Sequence, residues 1–434
     1  MKPLKNPILP VRVYVPWYGK QSWVYKYRIS QPMEMGLRQR SCEFLVDTGG
    51  THSEEARMQV MGGSDILFFH QINLDWILEL CLAEPRPAII TSSDDHVEMI
   101  EPFNPGFHHT GTHNLTGKRL EPGDSVWWIP DGTHTPIWED MKSYENDGKR
   151  YVFDIARNHA QLDMLKAIAR ESDGSVVSTE PLAEVYRGYG AKNVYVYPNS
   201  LDFSLYPQID LQPHPQEIRI LWTGGGSHYI DLYTIKDPLG RILKKYPQAK
   251  LIIFGQDFPV LKKWFENANI EQIGWIDPDA YTYRLSTIGH DINLCALRPT
   301  PFAECKSAIK FYESAAICNP AATLGANFGP YQEIIDGETG FKYTSPEEFE
   351  WKLSELIENE TLRKQLAVNA QEWVHNYRDV RFTTPPYIDW LRETSEKVHE
   401  YNRTIMPDAE LGVGEPSPDL PPNEPIRKLV VASR

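Results

Sequence analysis

The chain has 434 residues, more than one small hydrophobic core needs, and two domains are expected. A hydrophobic content of 41% and a charged content of 24% are ordinary for a globular protein, which excludes fibrous and low-complexity classes. A formal net charge of −15 argues against broad binding to nucleic-acid phosphates, and five cysteines without a CxxC pair suggest neither a disulfide framework nor a zinc site.

Short apolar runs alternate with helical patterns along the chain, the signature of an α/β protein. "VRVYVPWYG" (11–19) reads as a first strand that leaves into an aromatic, glycine-containing loop. "CEFLVDTGG", "DILFFHQ" and "PAIITSSDD" read as further strands, the last ending at Asp94 and Asp95. Residues 103–149 are rich in Gly, His, Thr, Trp and Pro with little periodicity, and read as an irregular insertion. Its histidines (His108, His109, His113, His134) lack metal-ligand spacing on a defined element. "NHAQLDMLKAIARESDG" is helical, and "SVVSTEPLAEVYRGYGAKNVYVYPNS" reads strand, helix, strand.

The polar, proline-rich stretch 201–217 is a linker, after which the pattern restarts. "IRILWTGGGSHYIDLYTIKDPLGRILKKYPQAKLIIFG" is strand, Gly-rich loop, helix, strand, and "IEQIGWID" and "HDINLCALRP" supply two more strands. The expected organisation is an N-terminal Rossmann-like domain over 1–205 and a second over 218–383, facing each other across a cleft. A helix over 384–405, following Pro385 and Pro386, returns to the first domain, and the Pro-rich tail 406–434 is expected to be disordered. No run approaches 18 apolar residues, so no membrane span is expected, and cysteine usage fits a reducing compartment, the cytoplasm.

Two stretches carry chemistry. In "ECKSAIKFYESAAICNP" (304–320), steps of four and three put Lys306, Lys310 and Glu313 on one helical stripe, opposite Ala308, Tyr312, Ala315 and Ala316. Two lysines at a helix start are unfavourable unless an anion compensates them, although a solvated polar face gives the same pattern. In "LWTGGGSH" (221–228), Gly224, Gly225, Gly226 and Ser227 lie between a strand and a helix, where backbone N–H groups can approach a phosphate. A tight structural turn is the competing reading. The pattern is neither a dinucleotide fingerprint nor a P-loop.

The order of these segments, and the block "TPFAECKSAIKFYESAAICNPAATLG" with Phe302, Lys306, Ser307, Lys310, Glu313 and Pro320 in register, resemble GT-B glycosyltransferases. The closest likeness is to retaining family four (glycosyl transferases group 1), in a form common in phage and bacterial genomes that carries a KSxxKxxE block. The following "GPYQEIIDGETGFKY" is also similar, with Gly329, Pro330, Glu333, Gly337 and Gly340. Three positions depart from the family pattern. Ala303 replaces its asparagine, Cys305 stands where the first of its paired glutamates falls, and an Arg/Lys pair after the first strand of the second half is absent.

The resemblance implies transfer of a sugar from a nucleotide diphosphate sugar, a UDP-sugar by expectation, to an unidentified acceptor (glycan, lipid, protein or modified nucleobase) with retention of configuration. It implies that Glu313 holds the ribose hydroxyls and that Lys306 neutralises the diphosphate, helped by Ser307 and the glycine-loop amides. Gln256, Trp275 and Ile276 are the candidates for cradling the base, against plain loop packing. Arg28 is a candidate for the diphosphate or the acceptor, against a structural ion pair. Asp94, Asp95 and His96 end a strand that points at the cleft, as base or sugar-hydroxyl partners, with helix capping as the competitor. No cofactor beyond the donor substrate and no divalent metal are expected. Asp277-Pro278-Asp279 reads as an N-cap, a proline at the first helical position and a first-turn acid rather than a metal clamp. The alternatives are a catalytically silent GT-B module for binding or assembly, and a sugar-nucleotide epimerase.

Overall fold

In the computed structural model the residues described are 9–16, 22–47, 54–71, 74–100, 143–146, 149–152, 155–209, 211, 214, 216–225, 228–255 and 261–406. The expected tail, Gly226, Ser227, Gln256 and most of the 103–149 insertion lie outside them. Strands are numbered β1 (Val11–Pro16), β2 (Cys42–Asp47), β3 (Ile66–His70), β4 (Ala88–Ser93), β5 (Ser143–Asn146), β6 (Lys149–Val152), β7 (Gly174–Val177) and β8 (Val194–Val196) in the first half. The second half holds β9 (Ile218–Gly224), β10 (Ala249–Gly255), β11 (Asn269–Ile273), β12 (Ile292–Cys295), β13 (Ala322–Ala326) and β14 (Phe341–Tyr343).

Two six-stranded sheets form, with orders β2-β1-β3-β4-β7-β8 and β11-β10-β9-β12-β13-β14, and every described pairing within them is parallel. β5 and β6 pair antiparallel across the C-terminal boundary of the stretch 103–149 expected to be irregular. The inner strands are buried on both faces, which is why they read as continuous apolar runs: every residue of β3, β4, β12 and β13 is buried. In the second sheet the chain order reverses beside β9, whose neighbours are β10 and β12; in the first it reverses beside β1, between β2 and β3. In open parallel sheets a ligand crevice lies outside the carboxyl ends of the strands at such a reversal.

Local chemistry fixes the ends of the elements. Asp277 caps the helix Pro278–Ile288 by accepting from the Asp279 amide, with Pro278 in its first turn, and Gly289 closes the helix in the left-handed region at φ 66°. The capping expected of this Asp-Pro-Asp is therefore present. The last helix runs Val380–Ile405 and starts ahead of Pro385 and Pro386, not after them, because Asp379 caps it through the Arg381 amide. Its buried Tyr387, Ile388 and Leu391 pack with Val11, Val13, Met33 and Phe68 of the first half, and Trp390 donates to Asn193 at 2.9 Å. No described helix is long and apolar enough to cross a membrane.

Candidate functional site

A cavity of about 360 Å³ opens between the carboxyl ends of the two sheets. Its floor is the end of β9 and the start of the loop after it, Thr223, Gly224 and Gly225. Glycine is required there. A Cβ on Gly224 would lie 2.7 Å from the Trp222 ring, and one on Gly255, at φ 121°, would lie 2.6 Å from the Gly224 carbonyl oxygen. The two strand ends therefore meet backbone to backbone, which leaves the space above them for a ligand. Gly226 and Ser227 lie outside the described residues.

Lys306 does not sit in the helix. A short helix, Pro301–Glu304, is capped by the Thr300 hydroxyl, and Lys306 occupies the turn before the next helix, Ile309–Ala316. Nor is there a solvated polar face, since every residue from Phe311 to Ala316 is buried and Glu313 is only 5% exposed. Lys306, Lys310 and Glu313 all line the cavity.

The Lys306 ammonium sits 4.3 Å from the centre of the Phe302 ring and 2.5 Å from Asp95 Oδ1. Burial works against its charge, but Asp95, with Asp94 and Asp231 beyond it, holds its pKa above the usual lysine value. Lys310 lies 5.1 Å from the centre of the Trp222 ring, and burial lowers its pKa. The Glu313 carboxylate accepts from Tyr27 on one oxygen and from Tyr281 at 3.1 Å on the other. Burial raises its pKa against the pull of Tyr27 and Lys26. Each carboxylate oxygen keeps a second lone pair, so the tyrosines orient Glu313 without exhausting it.

The first half supplies the opposite wall. Asp94 and Asp95 follow β4 and line the cavity. The turn Val97–Met99 beyond them has no side-chain cap, so these aspartates are not helix caps. Burial pushes both carboxyls up. At Asp94 the pull of His70, Lys306 and Arg28 prevails and holds it below the usual carboxylate range, whereas Asp95, repelled by Asp94, stays above it. The neighbouring His96 is buried away from the cavity, with its Nδ1 3.8 Å from the Cys305 sulfur.

Arg28 is likewise displaced from the expected place. A π-helical turn, Lys26–Ser30, interrupts the helix that starts at Trp23 and continues to Arg38. Tyr27 points at the cavity, and Arg28 is buried beneath it, donating to the Tyr197 carbonyl at 2.5 Å and to Asn199 Oδ1 at 3.3 Å. It acts there as a prop. Asn199 carries its effect onward, donating to Ser307 Oγ at 2.9 Å across the cleft.

An aromatic end completes the cavity. Trp275 and Ile276 line it with Trp23, Phe254 and Tyr281. Tyr281 stacks on Phe254 with ring centres 5.0 Å apart, Trp23 meets Tyr281 edge-on at 4.3 Å, and Trp275 remains 61% exposed. Gln256, the third candidate for this end, lies outside the described residues.

Several lining residues were not anticipated from the sequence. His228 closes the glycine loop, with Nδ1 2.8 Å from Asp231 Oδ2, while the other Asp231 oxygen accepts from the Arg298 amide at 3.0 Å. Burial, reinforced by Lys310, lowers its pKa to about 4, so at neutral pH it is an uncharged imidazole. The signal in the sequence was the His-x-x-Asp spacing one residue after three glycines, which puts His228 at the N-cap and Asp231 in the first turn of the helix Tyr229–Thr234. Tyr27, Tyr281 and Asn199 carried no such signal.

The cavity thus joins two lysines, a glycine turn, a tyrosine-braced carboxylate and an aromatic surface, with Trp275 beside Gly225. Opposite the lysines stands an acidic pair from the other half. Among the described residues no group of three or more His, Cys, Asp or Glu side chains is placed to hold a metal ion.

No family model matches the chain, and no curated protein matches it. Solved structures do. HepE of Anabaena in complex with UDP and glucose aligns with a TM-score of 0.56 at 12% identity, over 88% of this chain and all of that one. Sucrose-phosphate synthase of Thermosynechococcus elongatus aligns at 0.53 and 11% identity, over 92% of this chain and all of that one. A glycosyltransferase of Rickettsia africae gives 0.53 and 12%, over 89% of this chain and 98% of that one. The fold is GT-B: two parallel six-stranded α/β halves over nearly the whole of each partner.

Proposed function

We propose that the protein is a glycosyltransferase that takes a sugar from a nucleotide diphosphate sugar, a UDP-sugar first, and passes it to a hydroxyl-bearing acceptor with retention of configuration. The observation that carries this reading is the combination of groups lining one cavity: aromatic rings (Trp275, Tyr281), the buried carboxylate of Glu313, and Lys306 and Lys310 beside the glycine turn. These are the three kinds of partner that the base, ribose and diphosphate of a nucleoside diphosphate need. Stacking on Tyr281 or Trp275 suits a base, and a buried carboxylate accepting two hydroxyl hydrogens suits a ribose. Two ammonium groups lining the same cavity as the Gly224–Gly225 turn suit a diphosphate, whose charge grows as the sugar departs. That HepE binds UDP and glucose supports the reading through the shared fold.

The protein's part in the reaction is to align donor and acceptor, stabilise the leaving diphosphate and exclude water. Lys306, Lys310 and the loop amides provide the positive field without a divalent metal. The chain acts in the cytoplasm, and the identity of the acceptor is read by the first half. A second reading, nucleotide binding without transfer, is favoured by two observations: Lys306 is already paired by Asp95, and Glu313 already accepts from two tyrosines. A thermal-shift panel of nucleotide sugars, followed by measurement of nucleoside diphosphate release from the best ligand, tests both. Stabilisation with release supports the transferase, stabilisation without release supports the silent module, and no stabilisation refutes both.

A further inference from the structure

Besides the His96–Cys305 contact, three hydrogen bonds tie the halves together beside Lys306. Asp95 meets Lys306 at 2.5 Å, Asn199 donates to Ser307 at 2.9 Å, and the Thr179 hydroxyl donates to the Cys305 carbonyl at 2.9 Å. The latter two are neutral hydrogen bonds, indifferent to the arrival of an anion. The first is not, because its ammonium is the one that the proposed function assigns to the diphosphate.

A diphosphate lying along Gly224 and Gly225 against Lys306 brings about two negative charges into contact with that ammonium. Asp95 would then face those charges from the front with Asp94 behind it. Like charges at such distances in a partly buried site repel strongly, and one lysine cannot hold three anionic groups. Asp95 is the weaker competitor, since one carboxylate stands against a more highly charged ligand that also collects the loop amides. Each side chain of the pair is 25% exposed, so the bond can open without unpacking the core.

Resting on the nucleotide-sugar reading, we propose that donor binding transfers Lys306 from Asp95 to the diphosphate, and that the uncovered Asp95 carboxylate is the catalytic group that takes the proton of the attacking hydroxyl. In that step the acceptor oxygen bonds to the anomeric carbon of the sugar on the same face from which the diphosphate oxygen departs, the side on which Asp95 stands beside Lys306, so that configuration is kept as the bond to the diphosphate oxygen breaks. The hydroxyl proton passes to Asp95, and the electron pair leaves with the diphosphate, held by Lys306. Water in the acceptor's place gives hydrolysis of the donor by the same balance. The exchange orders the substrates, because the carboxylate is covered until the donor has arrived. Burial and Asp94 hold the Asp95 carboxyl above the usual carboxylate range, which strengthens it as a proton acceptor once Lys306 has turned away.

The exchange and a mere strap between the halves predict opposite signs. Calorimetry with UDP, GDP, ADP and dTDP, and hydrolysis of the sugar nucleotide of whichever binds, are measured on wild type, Asp95→Asn, Lys306→Met and the double variant. The exchange predicts that Asp95→Asn binds the nucleoside diphosphate about tenfold tighter, since one charge-assisted bond no longer has to be broken first. The gain disappears in the Lys306→Met background, and hydrolysis by Asp95→Asn falls about a hundredfold or more. Equal or weaker binding by Asp95→Asn overturns the exchange, and undiminished hydrolysis overturns the proton transfer. Asp95→Ser, smaller and equally uncharged, carries the same predictions should the asparagine variant fail to melt cooperatively. A wild type that binds none of the four nucleotides refutes the proposed function itself, and with it this step, a result distinct from tight binding with no change in Asp95→Asn.

Discussion

Replacing Glu313 with glutamine removes one charge from the centre of the cavity and little else. The carboxylate is 5% exposed and accepts from Tyr27 and Tyr281. A glutamine of the same shape accepts from one phenol through its carbonyl and donates to the other through its amide, so both hydroxyls stay paired. Stability should therefore fall by no more than about 1 kcal/mol. Alanine is a harsher change, since it takes the carboxylate from the buried Tyr27 phenol at a cost of about 1–3 kcal/mol, and is the poorer probe. For ligand binding, the ribose hydroxyls lose a charged acceptor worth about 1.5–3 kcal/mol, an affinity loss of about ten- to a hundredfold. Because the ribose is common to both ligands, the loss should be the same for UDP and for a UDP-sugar. Isothermal calorimetry with the two ligands, beside a thermal melt of the variant, reads all of this. Unchanged affinity for both ligands would return Glu313 to a structural role with its tyrosines, and a loss confined to the sugar nucleotide would place it at the sugar instead.

Lys306→Ala should lower turnover about a hundred- to a thousandfold with the melting temperature nearly kept, as expected when one preorganised charge stabiliser is lost from a partly exposed pair; wild-type turnover in the folded variant would remove the lysine from the phosphate site. Turnover should survive exhaustive EDTA treatment, and activity that is abolished by the chelator, restored by Mg²⁺ or Mn²⁺ and lost in Asp279→Asn would overturn the metal-free reading. His290, 4% exposed with Nε2 2.9 Å from Ser314, has its pKa lowered to about 3 by burial and by Arg219. Its folded pKa lies below its unfolded one, so the unfolded chain takes up a proton first as pH falls below about 6.5, and stability is lost through that window. Urea melts at pH 7 and pH 5 should differ by about 2 kcal/mol from this residue alone, and His290→Asn should reduce the difference by that amount; an unchanged difference would contradict the linkage.

The strands were legible because a parallel sheet buries both faces of each inner strand, as in "DILFFHQ" and "HDINLCALRP", and the glycine turn after β9 was legible because β10 approaches it at Gly255. The capping of Pro278–Ile288 was equally local and is present as read. Periodicity misplaced Lys306 because it continued a helix through 304–308, where the chain instead turns between two helices. The same pattern also gave Glu313 a solvated face, although the contacts that bury it come from Tyr27, 286 positions away. The π-helical turn that brings Tyr27 to the cavity and sends Arg28 inward leaves no trace in composition, since it changes the side-chain phase by one residue. Asn199, His228 and the Asp95–Lys306 pair depend in the same way on what the opposite half, or the far end of a loop, places beside them.

A structure of the protein with UDP tests the central claim most directly. The proposed function predicts the base against Tyr281 or Trp275, the ribose hydroxyls on Glu313, and the diphosphate between Gly224, Gly225 and Lys306, with Asp95 turned away from the lysine. UDP bound elsewhere, or in this cavity with its phosphates away from Lys306 while the Asp95 bond stays closed, would contradict it.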